Sequence, residues 1–141
     1  MFKIDIHTHI LPENINEITN TFSDSRFLRM DAIDDNTAML RKDDKAFRQV
    51  DCNCWSHHAR TKECHETGVD VQVLSTIPVL FSYWAKDDEC LLLSKYLNDH
   101  IANICNEEST KYIGLGTIPM QNTNLAIAEM DRCVNELNLP G

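Results

Sequence analysis

His7-Thr8-His9 stands at the end of a run in which apolar residues alternate, Phe2, Ile4 and Ile6. A strand repeats every two residues, so both imidazoles project from one side. Two neutral nitrogen donors held together make half of a site for a borderline divalent ion such as zinc. Iron, manganese and cobalt sites use the same pair. On this reading Ile4, Ile6 and Ile10 face covering helices, while Asp5, His7 and His9 face the interior. Asp5 then has two open roles. It orients an imidazole from behind, or it packs among polar groups at the bottom of the fold. Outside a strand end, an H-x-H pair reads equally as surface or hydrogen-bonded histidines.

Other residues compete for attention. Cys52, Cys54, His57, His58, Cys64 and His65 lie close in sequence. Such a cluster can build a small Cys/His structural zinc module. The C-x-C spacing is tighter than a finger uses, and adjacent Cys64 and His65 point about 100° apart on a helix. The alternative is a helix N-terminus mixing core and surface residues. Arg48 offers a planar fork that suits a carboxylate, or it is a solvated hairpin side chain. Phe81, Tyr83 and Trp84 either line a pocket or cover a neighbouring helix.

The elements that must position these groups follow from periodicity. A first strand runs from Phe2 to Ile6 and on to Leu11-Pro12. Residues 13–57 read as an irregular insertion or lid outside the core. Within it, Ala38–Arg41 and Ala46–Val50 flank Lys42-Asp43-Asp44-Lys45 as a hairpin signal. Ser56 caps a helix stopped by Gly68. A second strand spans Val69–Thr76. Asp87 is expected to cap a long helix to Glu107, striped by Leu93, Leu97, Ile101 and Ile104. A third strand covers Tyr112–Ile118, and a last helix runs from Thr123 to Leu137. Cys105 and Cys133 read as small buried side chains. Strands alternating with helices predict an α/β fold with a parallel sheet. Three strands make an incomplete (β/α)8 barrel, since a whole one takes eight strands and roughly 250 residues. The expectation is a partial product or short form of a longer enzyme.

The chain has 141 residues, 43% hydrophobic and 25% charged, with a formal net charge of −9. Such a balance suits a folded domain and disfavours nucleic acid and anionic membranes as partners. The charged N-terminus lacks the apolar run of a signal peptide, and no apolar stretch reaches the roughly 18 residues of a membrane span. A cytosolic protein with reduced thiols is expected.

Four stretches carry a resemblance: Lys3–Pro12; Phe47-Arg48 with Asn53-Cys54-Trp55; Val73–Lys86; and Gly114–Gln121. Glu129–Val134 adds to it. Together they resemble the N-terminal portion of metal-dependent decarboxylases of the amidohydrolase superfamily. The resemblance implies a TIM-type barrel with zinc as cofactor. It implies a small-molecule substrate, an amino-carboxymuconate semialdehyde, decarboxylated without oxidation in the kynurenine branch of tryptophan degradation. That reaction limits quinolinate formation. His7 and His9 would be two zinc ligands, and Arg48 would bind a substrate carboxylate. The remaining ligands and the acid/base histidine of the family come from later strands, so no catalytic residue is expected within these 141 positions. The full-length form is expected to be a homodimer.

Overall fold

A computed structural model describes residues Met1–Gly141. Two three-stranded sheets organise the chain. The first is parallel, with order β1 (Ile4–Ile10), β5 (Val71–Thr76), β6 (Tyr112–Gly114). The second is antiparallel, with order β2 (Arg29–Ala32), β3 (Thr37–Lys42), β4 (Lys45–Asp51). Helices α1 (Ile15–Thr19), α2 (His57–Thr67), α3 (Asp87–Glu107) and α4 (Thr123–Asn135) complete it. The parallel sheet with its intervening helices is the opening of a (β/α)8 barrel.

Local chemistry explains most boundaries. Ser56 Oγ accepts from the Ala59 amide, and Gly68 ends α2 in the left-handed region at φ 69°. Asp87, expected as a cap, lies instead inside the first turn of α3. Lys86 is the cap residue and makes no side-chain bond. Asp87 accepts from Asn122 Nδ2 at 2.6 Å, and three acidic residues in that first turn complement the helix dipole. The third strand is shorter than expected. After Gly114 only the Leu115 amide still reaches the sheet, at Leu74 O, whereas the Gly116 amide turns to Gly141 O.

Residues 13–57 depart most from expectation. The segment carries the hairpin that the sequence signalled, and several of its side chains enter the core. Asp43 and Asp44 both adopt positive φ, 54° and 57°, the turn that matches the twist of a two-residue hairpin. Met30, Ala38 and Leu40 point inward from β2 and β3 and join Leu11, Ile15, Phe22, Phe27, Leu28 and Trp55 against Leu80, Leu93 and Leu97 of the barrel layer. The apolar residues are sparse and interleaved with acidic ones, which hid a half-buried sheet. A second cluster lies under α3, where Ile10, Leu74, Ile101, Ala102, Ile104 and Tyr112 pack with Cys133 and Leu139. Cys133 is buried, but Cys105 is only half-buried.

Gly114 sits where α3 crosses this sheet. A Cβ there would lie 2.5 Å from Ile101 Cγ2 and 2.7 Å from Leu139 Cδ2. Gly114→Ala is expected to cost about 1–3 kcal/mol through overpacking. A urea titration checks it; an unchanged midpoint would show that the contact relaxes freely.

Candidate functional site

The strand carrying the histidines does not keep one register. β1 pairs Ile4 with Val71 and Asp5 with Gln72, then shifts, so that Thr8 meets Leu74 and His9 meets Ser75. The irregularity between Asp5 and Thr8 reverses the parity of the strand. Thr8 and Ile10 are buried under the helices. Ile4 and Ile6 face the other way, toward the barrel interior, and are 48% and 75% exposed in this chain. The expected assignment of Ile4 and Ile6 to the helix side is thereby corrected. Asp5 changes sides too. It lines a polar cleft with Arg60, Glu63 and Gln72, accepts from Gln72 Nε2 at 3.4 Å and bonds the His7 amide at 3.3 Å. It holds backbone and touches no imidazole nitrogen.

The two imidazoles converge. The His7 and His9 ring centroids are 4.9 Å apart with planes at 81°. His9 Nδ1 lies 3.2 Å from the Thr76 carbonyl oxygen and 3.0 Å from Ser75 Oγ. A carbonyl only accepts, so Nδ1 carries the proton. The Ser75 hydroxyl donates to Thr8 O at 3.0 Å, which leaves its oxygen free to accept from the same Nδ1. This fixes one tautomer and presents the Nε2 lone pair outward.

The strand end itself is clamped. Arg60 Nη2 donates to His9 O and to Asn53 O, both at 2.7 Å, and Arg60 Nε donates to Asn53 O at 3.0 Å. The Leu11 amide donates to Cys54 O at 3.1 Å. Arg60 therefore ties β1 to the 3₁₀ turn Cys52–Cys54 and so places β4 beside His9. Neither Arg60 nor Ser75 was legible as a site residue, because both reach the strand end from distant positions in the sequence.

His9 and Arg48 line one cleft of about 310 Å³, together with Leu11, Leu40, Phe47, Val50, Cys54, Ile77, Pro78 and Val79. Arg48 stands opposite Leu40 on β4. It is exposed and forms no ion pair with any carboxylate of the chain, unlike Arg26, Arg29, Arg41 and Arg132. Burial pushes the Cys54 thiol above its ordinary pKa, so this wall stays apolar and uncharged at neutral pH. None of Phe81, Tyr83 and Trp84 lines the cleft. Trp84 packs on Phe27, with the Arg26 guanidinium 4.1 Å over its ring; Phe81 and Tyr83 stack on each other.

The Cys/His cluster of residues 52–65 is dispersed. Cys54 joins the cleft, Cys64 is the buried residue of α2, and no cysteine shares a ligand group with a histidine. His57 and His58 instead meet Glu108. The thiol-based zinc module is thereby excluded as a preformed site.

Known proteins were compared with this architecture. No family model matches the chain. A 2-amino-3-carboxymuconate-6-semialdehyde decarboxylase from Dictyostelium discoideum is 45% identical over 139 residues, which is 99% of this chain and 39% of that protein. The Caenorhabditis elegans protein of the same name is 38% identical over 125 residues, 89% of this chain and 31% of its own length. The chain belongs to the 2-amino-3-carboxymuconate-6-semialdehyde decarboxylase family. It spans about two-fifths of the length of the Dictyostelium member. Solved amidohydrolase-superfamily decarboxylases share the fold. Among them, a dihydroxybenzoic acid decarboxylase from Polaromonas sp. JS666, solved with bound manganese, superposes with TM-score 0.66 at 20% identity, covering 98% of this chain and 36% of its own. The parallel sheet thus has the fold of part of such a barrel.

Proposed function

We propose that this chain supplies the metal-binding edge and the carboxylate-binding arginine of a non-oxidative carboxy-lyase acting on 2-amino-3-carboxymuconate-6-semialdehyde, on the kynurenine branch and upstream of quinolinate. The observation that carries the reading is the shared cleft. A histidine with its Nε2 lone pair free and an arginine without a carboxylate partner face one apolar space. His7 and His9 would hold the ion. Their neutral nitrogens suit zinc, and the tautomer fixed by Thr76 O supports that fit.

A bound divalent cation would supply Lewis acidity at the strand end. The rest falls to the chain's own groups. Arg48 binds a carboxylate through two parallel N–H bonds and fixes the substrate's orientation. Leu11, Leu40, Val50 and Val79 exclude water from the conjugated part of the substrate and strengthen that ion pair. Arg60 positions the His9 carbonyl and hence the imidazole.

A second reading has its own observation. Two ligands hold a catalytic ion weakly, and the interior face with Ile4, Ile6 and Ile113 stands open. On that reading the chain alone is a non-catalytic partial barrel. The experiment separates the two claims. Fusing the 141 residues to the remainder of the Dictyostelium relative completes the barrel, and loss of the semialdehyde's ultraviolet absorbance reports turnover. The fusion is expected to be active and the chain alone inactive. Arg48→Ala in the fusion is expected to lower kcat/KM by about 10- to 100-fold, the worth of a charge-assisted contact, with Arg48→Lys recovering part of it. An inactive but folded, metal-loaded fusion sinks the substrate assignment.

A further inference from the structure

Outside the cleft, one cluster of ligating side chains has no assigned role. We propose that His57, His58 and Glu108 form a second divalent-cation site, a zinc clip between the N-terminus of α2 and the C-terminus of α3. It shares no residue with the cleft of His9 and Arg48.

Sequence alone divides these residues between two unrelated elements. The fold brings their ligand atoms within 4.8 Å of one another. His58 Nδ1 is 3.6 Å from Glu108 Oε1, and His57 Nε2 is 4.0 Å from the same oxygen. Tetrahedral zinc with bonds of about 2.1 Å needs ligand atoms ~3.4 Å apart, so small side-chain rotations close the site. Two histidines and one carboxylate are a zinc donor set that leaves a fourth position for water.

The polar groups at this spot are left unmatched unless a proton or a cation joins them. His57 Nε2 is buried and makes no hydrogen bond. Glu107 Oε2 lies only 3.1 Å away, yet at an angle that forms none. His100 Nε2, beside them on α3, is likewise buried without a partner. No lysine or arginine pairs with Glu107 or Glu108; within ion-pair distance they meet His57 and His58. Imidazole lone pairs facing carboxylate oxygens repel unless a proton or a cation lies between them. Thr61 Oγ1 donates to Glu108 Oε2 at 2.9 Å, which orients the carboxylate and leaves Oε1 toward the histidines.

The test uses the full chain in a His7→Ala/His9→Ala background, so that the strand-end pair cannot bind. Zinc is titrated calorimetrically, and urea unfolding is measured with and without it. One equivalent is expected to bind. At a zinc concentration of 100 times Kd the folding equilibrium should shift about a hundredfold toward the native state. Adding His58→Ala and Glu108→Gln should weaken binding at least tenfold and abolish most of that shift. His58 is exposed and Glu108 half-buried, and circular dichroism verifies that the fold survives. Cobalt gives an independent readout: its spectrum should show imidazole and oxygen ligation without thiolate charge-transfer bands. Zinc affinity unchanged by the His58/Glu108 variant, or thiolate bands with cobalt, would overturn the assignment and place the ion on Cys52 or Cys54. If the chain binds no zinc in this background, the clip is refuted while the strand-end site is left standing.

Discussion

His9→Ala in the completed barrel is expected to abolish metal retention and to lower turnover by at least about a thousandfold, roughly 4 kcal/mol of lost transition-state stabilisation. The expectation rests on a single atom. Thr76 O and Ser75 Oγ both face Nδ1, so Nε2 is the nitrogen that can ligate. Alanine deletes it, and His7 alone offers the ion one donor on this strand. Neighbouring variants grade the effect. Ser75→Ala removes one of two oxygens behind Nδ1 but leaves the Thr76 carbonyl; metal affinity should fall by about tenfold, the low end for a supporting bond. Asp5→Asn should leave both metal content and rate nearly unchanged, since Asp5 bonds the His7 amide from the opposite face of the sheet. Metal content by emission spectroscopy and turnover on the same preparations decide the matter. A His9→Ala protein that keeps one equivalent of zinc and its rate would remove His9 from the site, whatever its geometry.

How far these residues were legible beforehand depended on whether their signal was local. The cap at Ser56, the stop at Gly68 and the stripe of α3 are local patterns, and each stands where the sequence placed it. What failed was long-range. The shift in β1 between Asp5 and Thr8 depends on pairing with β5, 66 to 67 positions away, and no alternation within the strand reveals it. Ile4 and Ile6 consequently read as core when they belong to the barrel interior. The β3–β4 hairpin was legible, but the third strand and the burial of the small sheet of residues 29–51 were not, for a related reason. Its inward residues Met30, Ala38 and Leu40 are separated by charges on the solvent face, so their shared burial against α3 emerges only from the fold. Likewise His57 and His58 open α2 whereas Glu108 caps the end of α3, and only the fold brings the three together.

The most costly single change in the scaffold is expected at a residue that no periodicity marks. Glu129 lies on α4 and is buried, with 1% exposure. Its Oε1 accepts from Asn98 Nδ2 at 2.7 Å and from Arg132 Nη2 at 2.8 Å; its Oε2 accepts from Arg132 Nε at 2.9 Å. Asn98 in turn donates to Thr117 O and accepts from the Thr117 amide, at 2.8 and 2.7 Å. One carboxylate thus joins α4, α3 and the segment after β6. The Glu129 carboxylate holds the Arg132 guanidinium above its ordinary pKa, and Asp99 at 2.7 Å adds to this. The arginine therefore stays charged at every pH at which the chain would be studied. Meanwhile Ile127, Met130 and Val134 of α4 are exposed, so hydrophobic burial does little to seat this helix. Glu129→Ala strips a partly buried cation of its principal partner and is expected to destabilise the chain by about 3–5 kcal/mol. For a domain of this size that is a large share of a total of roughly 5–15 kcal/mol. Glu129→Gln keeps an acceptor for Asn98 and should cost less, about 1–2 kcal/mol. The pair Glu129→Leu/Arg132→Met should recover most of the loss, because a desolvated ion pair is readily matched by apolar side chains of similar volume. Urea titrations of the three variants at pH 7 measure these differences. A Glu129→Ala midpoint within error of the parent would show that α4 is held by its apolar contacts at Ala126 and Cys133, with the ion pair contributing nothing to the fold.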